Sequence, residues 1–447
     1  MIRVKKRGAG QGGDPLWQRL LLFGFLLFLA SNRSEHPASL VVVAGLVVLG
    51  YLSDRLALAV LFGSLLLPYV AGLPVTLGYV LIVAMAPYSF LHPWKVLTRA
   101  PRPFLYLSMF ILLGSVAMFA FTKALFLVYL CASVLLAWEA FSLVRRSRLG
   151  SADITRAARL GLGATVVVPL LFNAALPLVS PFWFPSHTPF LILGRFTVSV
   201  FDELLVSGYL LALFAATLFS VEVRRSRGLR WMTSLFLLLV AVEVGLTGSR
   251  AALLGLAFLL ALPFFIARAK VPSIPPARYR ASVVLIAVLG VAAVAVLVGS
   301  LQLPAIKRLA EMRTLASTGR PQTVAWALPS LNEFPMAPII DAEYLRRGPP
   351  LVPHFAPVAA ALFFGIPVAA LAIALFLIPV VDLFRGARLC RELAVVITFV
   401  ALLVMVMPTP DIADRGTFLL LGAWYALSRV PTVAGSGAAI RVLPASV

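Results

Sequence analysis

Apolar segments alternate with short polar segments along nearly the whole chain, and many approach the roughly 20 helical residues that cross a bilayer. The pattern predicts about fourteen membrane-spanning helices, or about twelve to thirteen if some short early segments do not cross. The predicted spans are 16–31, 38–52, 56–71, 74–91, 103–121, 123–144, 160–180, 203–223, 231–248, 251–267, 281–301, 357–384, 393–408 and 417–430. We therefore expect an all-α, polytopic bundle of transmembrane helices that forms one domain over residues 1–431.

Lysine and arginine residues cluster in the polar segments that follow an even number of predicted spans. The clusters fall within residues 3–7, 95–102, 145–148, 224–230, 268–280 and 385–391. Cytoplasmic loops collect Lys and Arg, so this side is predicted to be cytoplasmic and to hold both termini, including a tail over 432–447. The opposite side then receives a large outer loop, 302–356, and three shorter stretches, 183–196, 248–250 and 408–416.

Composition excludes a soluble protein. Of the 447 residues, 61% are hydrophobic and only 12% are charged, a balance that soluble domains do not have. The net charge of +21 would suggest a nucleic-acid partner in a soluble protein, but cytoplasmic loops account for it here, so no nucleic acid is expected. Cys131 and Cys390 lie in or beside apolar segments, which argues against a disulfide framework. The first apolar run lacks a small-residue cleavage site, so we interpret it as a retained helix and not as a signal peptide.

An arginine interrupts one apolar stretch, VEVGLTGSRAALLGLAF (242–258). An arginine at the centre of a lipid-facing helix costs about 2.5–3.5 kcal/mol, so Arg250 is expected at a turn on the outer side. Two interpretations stand: an interfacial arginine that snorkels to water, or a charge held for a purpose. Arg195, Arg320 and His354 fall on the same predicted side, and His354 is one of only four histidines. Several cations and one titratable base on one face favour a functional site.

Four segments of the second half carry a resemblance to a known family. In chain order they are GRFTVSVFDELLVSGYLLALFAA with Arg195, LTGSRAALLGL with Arg250, STGRPQTVAWALPSLNEFPMAP with Arg320, and HFAPVAAALFFG, which begins at His354 and ends at Gly365. Over roughly 190–430 the chain resembles the O-antigen ligase and polymerase superfamily of bacterial membrane glycosyltransferases. Three departures leave ligase and polymerase open: Phe follows the histidine, FPMAPIID lacks the usual glycine pair, and Val occupies position 368.

The resemblance implies a GT-C-like enzyme at the outer face of the bacterial inner membrane. Its donor would be a glycan on undecaprenyl diphosphate, and its other partners would be a lipid or glycan acceptor and the membrane lipids. Arg195, Arg250 and Arg320 would stabilise the negative charge that grows on the diphosphate, since fixed guanidinium groups do so without reorganising. His354 would take the proton of the acceptor hydroxyl, because histidine titrates near neutral pH. Direct displacement would invert the anomeric centre.

A further outer stretch, PTPDIADRG, holds Asp411, Asp414 and Arg415. It is either a solvated loop with a local ion pair, or a segment that binds the acceptor or orients His354. Metal-dependent membrane glycosyltransferases use an acidic pair in the first outer loop, but that loop, SNRSEHP, contains only Glu35. No HExxH motif or carboxylate cluster occurs elsewhere. We therefore predict neither a metal nor another cofactor.

The main alternative comes from transport. GYLSDRLA (50–57) resembles the Gly-x-Leu-x-Asp-Arg loop of major-facilitator carriers. The usual Gly-Arg-Arg continuation is missing, and the second half contains no repeat of the motif, which a carrier with a pseudo-twofold axis would favour. A polytopic transporter or a flippase for lipid-linked glycans is therefore the alternative to glycosyl transfer, and a scaffold or assembly protein is a more distant one.

Overall fold

The structure is a computed structural model that describes part of the chain. The described residues are 38–67, 76–91, 98, 100–122, 125–168, 191–192, 195–196, 203–219, 227–247, 249–266, 288, 290, 292, 320–333, 335–336, 355–385, 393–407 and 414–428. Within them the architecture is helical, as predicted, apart from one two-residue ladder. The predicted span 16–31, most of the span 281–301 and the tail 432–447 lie outside the described residues.

Six helices form the described part of the first half. They are α1 (Ala38–Tyr51), α2 (Asp54–Gly63), α3 (Leu77–Ser89), α4 (Arg102–Thr122), α5 (Leu125–Arg146) and α6 (Ser151–Leu162). A 3₁₀ turn, Ser64–Leu66, continues α2, and a π-helical turn, Gly163–Val167, continues α6. Helix α2 begins at Asp54, two residues before the predicted span 56–71, and Ser53 caps it by accepting a hydrogen bond from the backbone N–H of Leu56 at 3.3 Å.

The second half adds the ladder and eight helices within the described residues. These elements are β1 (Leu191–Ile192), β2 (Arg195–Phe196), α7 (Glu203–Leu218), α8 (Arg227–Leu246), α9 (Arg250–Ile266), α10 (Arg320–Glu333), α11 (Ala356–Phe364), α12 (Ile366–Arg385), α13 (Leu393–Val406) and α14 (Arg415–Ser428). The strands pair antiparallel, with Ile192 opposite Arg195. Arg195 therefore lies in a ladder eight residues before α7 begins.

Two helix pairs form the centre of the bundle. Helix α14 packs along α5 so closely that a Cβ at Gly422 would collide with the backbone carbonyl of Ala137. Helix α7 packs along α13, and the side chains of α7 from Val206 onwards are almost completely buried. Aromatic rings complete the core around Phe104, whose ring centroid lies 4.7 Å from those of Trp138 and Tyr425. These pairs bring the beginnings of α7 and α14 into the interior.

Two described helices are long and apolar enough to cross a membrane, over Arg102–Ala120 in α4 and Leu127–Arg146 in α5. Other apolar helices in the described ranges are shorter, at 10–17 residues. Helix α4 is peripheral, because only 22% of its apolar window is buried, compared with 72% for α5. Its exposed side chains are large and apolar, and they include Phe110, Leu113 and Val116. Such a face suits contact with lipid.

The predicted span 357–384 is wrong as a single helix. Helix α11 ends at Phe364 and α12 begins at Ile366, with Gly365 between them at φ 78° and ψ 154°. This backbone conformation is open to glycine and strained for other residues. The break is also satisfied from outside, because the N–H of Ile366 donates to the carbonyl of Pro335 at 3.0 Å. Hydrophobic length alone hid this interruption, since apolar residues flank it on both sides.

The predicted outer loop 302–356 contains a helix, α10. One face of α10 is buried through Thr323, Ala327 and Leu331, which recur every four residues. This face packs towards α11. The described part of the loop is therefore an ordered element of the bundle, and Pro335 at its end contacts the α11–α12 break.

Candidate functional site

Asp414 lies buried where α14 begins, with 2% of its surface exposed. Its Oδ2 atom accepts hydrogen bonds from the backbone N–H and the hydroxyl of Thr417, both at 2.7 Å. This is an N-terminal helix cap. Its Oδ1 atom accepts a hydrogen bond from the hydroxyl of Tyr209 on α7. The Asp414 carboxylate therefore caps the beginning of α14 and connects this helix to the central helix α7 by a hydrogen bond.

Arg415, the next residue, is also buried, with 7% exposed. Its guanidinium donates to the carbonyl oxygens of Ser64 at 3.3 Å and Leu65 at 2.6 Å, and to the hydroxyl of Thr76 at 3.0 Å. The carbonyls belong to the 3₁₀ turn that ends α2, where backbone acceptors are left over and the helix dipole favours a cation. The ring of Tyr79 lies 4.6 Å from the guanidinium carbon, a cation–π contact.

The interpretation of this stretch as a solvated loop with a local ion pair is wrong for Asp414 and Arg415. Both are buried, and their side chains bond to different helices. The rival interpretation, that they bind an acceptor or orient His354, stays a prediction. The described contacts favour a supporting role, because protein groups already bind both carboxyl oxygens of Asp414 and both terminal guanidinium nitrogens of Arg415.

Gly78 leaves the space that the guanidinium of Arg415 occupies between α2 and α3. A Cβ at this position would collide with the carbonyl oxygen of Ser64 and with the guanidinium of Arg415. Only a residue without a side chain lets α3 approach the end of α2 while the guanidinium fits between them. This contact could not be predicted from the sequence, since Gly78 is one glycine within an apolar run.

The predicted turn at Arg250 is present, between α8 and α9. Ser249 caps α9 by accepting from the N–H of Ala252 at 3.2 Å. The hydroxyl of Thr247 donates to the carbonyl of Val244 at 2.7 Å. It also accepts from the hydroxyl of Ser207 on α7 at 2.8 Å. Arg250 is therefore the first residue of α9, at a helix N-terminus, where backbone N–H groups favour an anion.

Helix α7 joins this turn to the Asp414 cap. Ser207 contacts Thr247, and Tyr209, two residues further on, contacts Asp414. The beginnings of α9 and α14 thus lie at the same end of α7. This end also receives the last turn of α2, through Arg415.

His354 and Asp411 lie outside the described residues. The chain just after the histidine is described, and the N–H of Ala356 donates to the carbonyl of Met407 at 2.8 Å. Met407 directly follows α13, seven residues before Asp414 in the chain. The beginning of α11 is therefore anchored beside the segment that leads into α14.

The remaining predicted arginines are placed by their backbones alone. Arg195 lies in β2 and Arg320 is the first residue of α10. Of the four predicted cations, Arg250 and Arg415 are brought to one end of the bundle through α7, whereas no described contact links Arg195 or Arg320 to that end. In the described ranges, no group of three or more His, Cys, Asp or Glu side chains is placed to hold a metal ion.

A second polar cluster lies at the C-terminal end of α5. The guanidinium of Arg146 donates to both carboxyl oxygens of Asp54, with its Nε 3.2 Å from Oδ2, and to the carbonyl of Tyr88 at 2.8 Å. The hydroxyl of Ser147 also donates to Asp54. Burial raises the pKa of Asp54, but the bonds from Arg146 and Ser147 outweigh it, so the pKa lies below its ordinary value. This carboxylate belongs to the stretch that resembles a carrier loop.

Two buried carboxyl groups escaped the sequence analysis. Glu139 on α5 and Glu243 on α8 are each 0% exposed, and no described group makes a hydrogen bond to their carboxyl oxygens. Acidic residues inside apolar spans are rare and mark functional positions. A search for single charged residues within the predicted spans would have found both, whereas the search for motifs and clusters did not.

The chain matches no protein-family model, no curated protein and no solved structure. The contacts and chemistry of its own residues therefore carry the functional argument.

Proposed function

We propose that the chain is an inverting, metal-independent glycosyltransferase of the O-antigen ligase or polymerase type. It would lie in the bacterial inner membrane with both termini in the cytoplasm. It would transfer a glycan from undecaprenyl diphosphate to an acceptor hydroxyl at the outer face. The resemblance of four segments to that superfamily motivates the proposal.

The observation that supports it most is the meeting of predicted site segments at one end of α7. Ser207 contacts the Ser249–Arg250 turn through Thr247, and Tyr209 contacts Asp414. The Ser249–Arg250 turn and Asp414 are separated by more than 150 residues in the chain. The anchored start of α11 holds Ala356, two residues after His354, beside the end of α13. A site assembled from distant segments is what a two-substrate reaction at one membrane face needs.

The chemistry follows from the residue types. The acceptor hydroxyl oxygen attacks the anomeric carbon while His354 takes the hydroxyl proton. The bond from that carbon to the diphosphate oxygen breaks, and undecaprenyl diphosphate leaves with the electron pair. Arg250, at the N-terminus of α9, would bind the diphosphate, since a guanidinium fork grips two phosphate oxygens. Arg195 and Arg320 are the further candidates for this charge.

Asp414 and Arg415 receive a different role in this proposal. Both are buried and bonded to protein groups. They would hold the beginning of α14 against α2 and α7, and so shape the site without touching the glycan. Asp411, in the same stretch, remains the candidate for acceptor binding.

The test is transfer by the purified full chain in nanodiscs. A glycan on undecaprenyl diphosphate and a lipid or oligosaccharide acceptor are supplied, and the product is identified by mass spectrometry. We expect a product with inverted anomeric configuration, formed equally well in the presence of a chelator. Absence of transfer by folded protein from each donor and acceptor pair would refute the enzyme. Loss of transfer on chelation, with rescue by magnesium or manganese, would refute metal independence.

A second candidate function, transport or flipping of a lipid-linked glycan, is favoured by the Asp54–Arg146 pair. The carboxylate of the carrier-like loop binds the last turn of α5, so the stretch links two helices at one end of the bundle. The same nanodisc preparation does not report transport. Proteoliposomes that expose the donor on one side distinguish the two, since a flippase moves the donor without consuming it.

A further inference from the structure

Glu139 is an acid buried within α5, one of the two helices in the described residues that are long and apolar enough to cross a membrane. None of its surface is exposed, and neither carboxyl oxygen has a hydrogen-bond partner among the described residues. A buried carboxylate is very costly unless it is paired. A buried Glu139 carboxyl without a described partner is therefore expected to bind either a cation or a proton.

The surroundings of Glu139 form a row of polar groups along one face of α5. Ser142 and Arg146 follow it at three and seven residues, which is the spacing of one helix face. Ser142 donates from its hydroxyl to the carbonyl of Ser89 on α3 at 2.5 Å. The hydroxyl of Ser89 is itself buried and has no hydrogen-bond partner among the described groups. Two orphaned polar groups, on α3 and α5, thus flank one serine.

This row leads to the end of the bundle. Arg146 lies about 10 Å along α5 from Glu139, from the helical rise of about 1.5 Å per residue. There it binds Asp54, whose side chain is 11% exposed. Polar side chains therefore recur along one face of α5, from the partly exposed Asp54–Arg146 pair, past Ser142, to the buried acid.

The other ionisable groups near α5 do not offer Glu139 a described partner. The elements packed against α5 are α2, α3, α4, α11 and α14. Their described titratable or charged side chains are Asp54 and Arg55 on α2, Tyr79 and Tyr88 on α3, the exposed Arg102 and Tyr106 on α4, and Arg415 and Tyr425 on α14. Asp54 is hydrogen-bonded to Arg146. Arg415 is hydrogen-bonded to the carbonyls of Ser64 and Leu65, in the 3₁₀ turn that follows α2.

We propose that Glu139 is a proton-binding site, and that its proton exchanges with solvent at the Asp54–Arg146 end by way of Ser142 and Ser89. Hydroxyl groups with unused donors and acceptors hold the water through which a proton moves. Loss of the proton would leave an uncompensated charge in the interior of the bundle, which is costly. The start of α3, with Thr76 and Tyr79, also contacts Arg415. This proton site is independent of the proposed glycosyl transfer.

Infrared spectroscopy of the full chain in nanodiscs tests the site. A protonated carboxyl shows a C=O band that shifts in D₂O as its proton exchanges. We expect wild type at neutral pH to show a band that is lost in Glu139→Gln and displaced in Glu139→Asp. Glu333→Gln is the matched control, since Glu333 is an exposed glutamate. If Glu139→Gln does not fold, the displaced band of Glu139→Asp carries the assignment.

The rate of the D₂O shift tests the route. Ser142→Ala should slow the exchange of the Glu139 band about tenfold, whereas Ser133→Ala, a substitution elsewhere on α5, should leave it unchanged. A spectrum that is the same in wild type and in both Glu139 variants refutes the proton site. A band that appears only when sodium is removed shows a cation site in its place. Equal exchange rates in wild type and Ser142→Ala refute the route.

Discussion

The hydroxyl of Tyr209 on α7 donates a hydrogen bond to the Oδ1 atom of Asp414, the residue that caps α14. The two residues are 205 positions apart in the chain. Both are buried, with 1% and 2% of their surfaces exposed. This bond joins the central helix α7 to the stretch that was predicted to line the site.

Removing the Tyr209 hydroxyl should destabilise the fold. Tyr209→Phe leaves a buried carboxylate with one partner fewer, which costs about 1–3 kcal/mol. The thermal midpoint of the protein in detergent should therefore fall. Tyr106→Phe is the control, because Tyr106 is 55% exposed on α4. An unchanged midpoint in Tyr209→Phe would show that this bond contributes nothing to stability.

A methyl group at Gly78 should disturb the seat of Arg415. Gly78→Ala places its Cβ on the Ser64 carbonyl and the guanidinium, and such overpacking costs about 1–3 kcal/mol. Thermal unfolding should show this loss, and Arg415→Lys should show a loss too, because lysine cannot bond several carbonyls in the same plane. Gly163→Ala is the matched control, since no heavy atom beyond its chain neighbours and its own helix backbone lies within 4 Å of its added Cβ. Equal midpoints for Gly78→Ala and Gly163→Ala would contradict the close approach.

The Asp54–Arg146 pair predicts a dependence of stability on acid pH. A carboxyl whose pKa is lowered by folding stabilises the fold above its unfolded pKa of about 3.9. That contribution is lost as the pH falls through the lower, folded value. Losing a hydrogen bond to a charged group costs about 1.5–3 kcal/mol.

A double-mutant cycle checks this prediction. Asp54→Asn and Arg146→Gln should each destabilise at neutral pH, and the double variant should lose less than the sum. The coupling between the two positions should shrink when unfolding is measured at acid pH. A coupling that stays constant across this range would show that Asp54 does not titrate in the pair.

Replacing Glu243 with methionine should stabilise the described fold. The carboxyl is buried, and no described residue bonds to it. Removing such a group recovers its desolvation penalty of about 1–3 kcal/mol. Thermal unfolding of Glu243→Met is compared with Glu333→Met, an exposed position where the change should stay within about 0.5 kcal/mol. A fall in the midpoint of Glu243→Met would mean that the carboxyl has a partner outside the described residues.

The helical class could be predicted from the sequence, because long apolar runs such as those of α4 and α5 have few other folded states. The turn at Arg250 was also predictable, because a charge at the centre of a membrane span is costly. The break at Gly365 was not, because hydrophobicity is continuous across it and the broken geometry depends on a carbonyl from Pro335. Helix α10 was missed because its polar composition hides a buried face.

The site was predictable in part. The resemblance selected Arg250, and the predicted outer position of PTPDIADRG selected Asp414. The structure joins their segments through α7. The burial of Arg415 was not predictable, because a cation in a short outer segment is usually solvated. Its partners are backbone carbonyls, which leave no trace in residue type. Tyr209 was hidden in the same way, as one tyrosine within an apolar helix.

Glycosyl transfer at the α7 end is tested most directly by donor binding and single-turnover transfer in His354 and Arg250 variants. The full chain is used in nanodiscs with a glycan on undecaprenyl diphosphate. Arg55→Ala serves as the control, because the Arg55 side chain is 66% exposed and pairs with Asp153 on α6. Arg55 lies at the beginning of α2, away from the end of α2 that contacts Arg415. Folding of each variant is checked by its thermal midpoint.

Arg250→Ala should weaken donor binding and lower the transfer rate about 10²–10³-fold, the effect of removing a preorganised charge contact. His354→Ala should bind donor nearly as wild type and transfer it slowly, with partial recovery at higher pH, where more acceptor is deprotonated. Wild-type transfer rates in folded His354→Ala and Arg250→Ala would contradict the proposed site, and would leave Arg250 as an arginine that snorkels to the membrane surface.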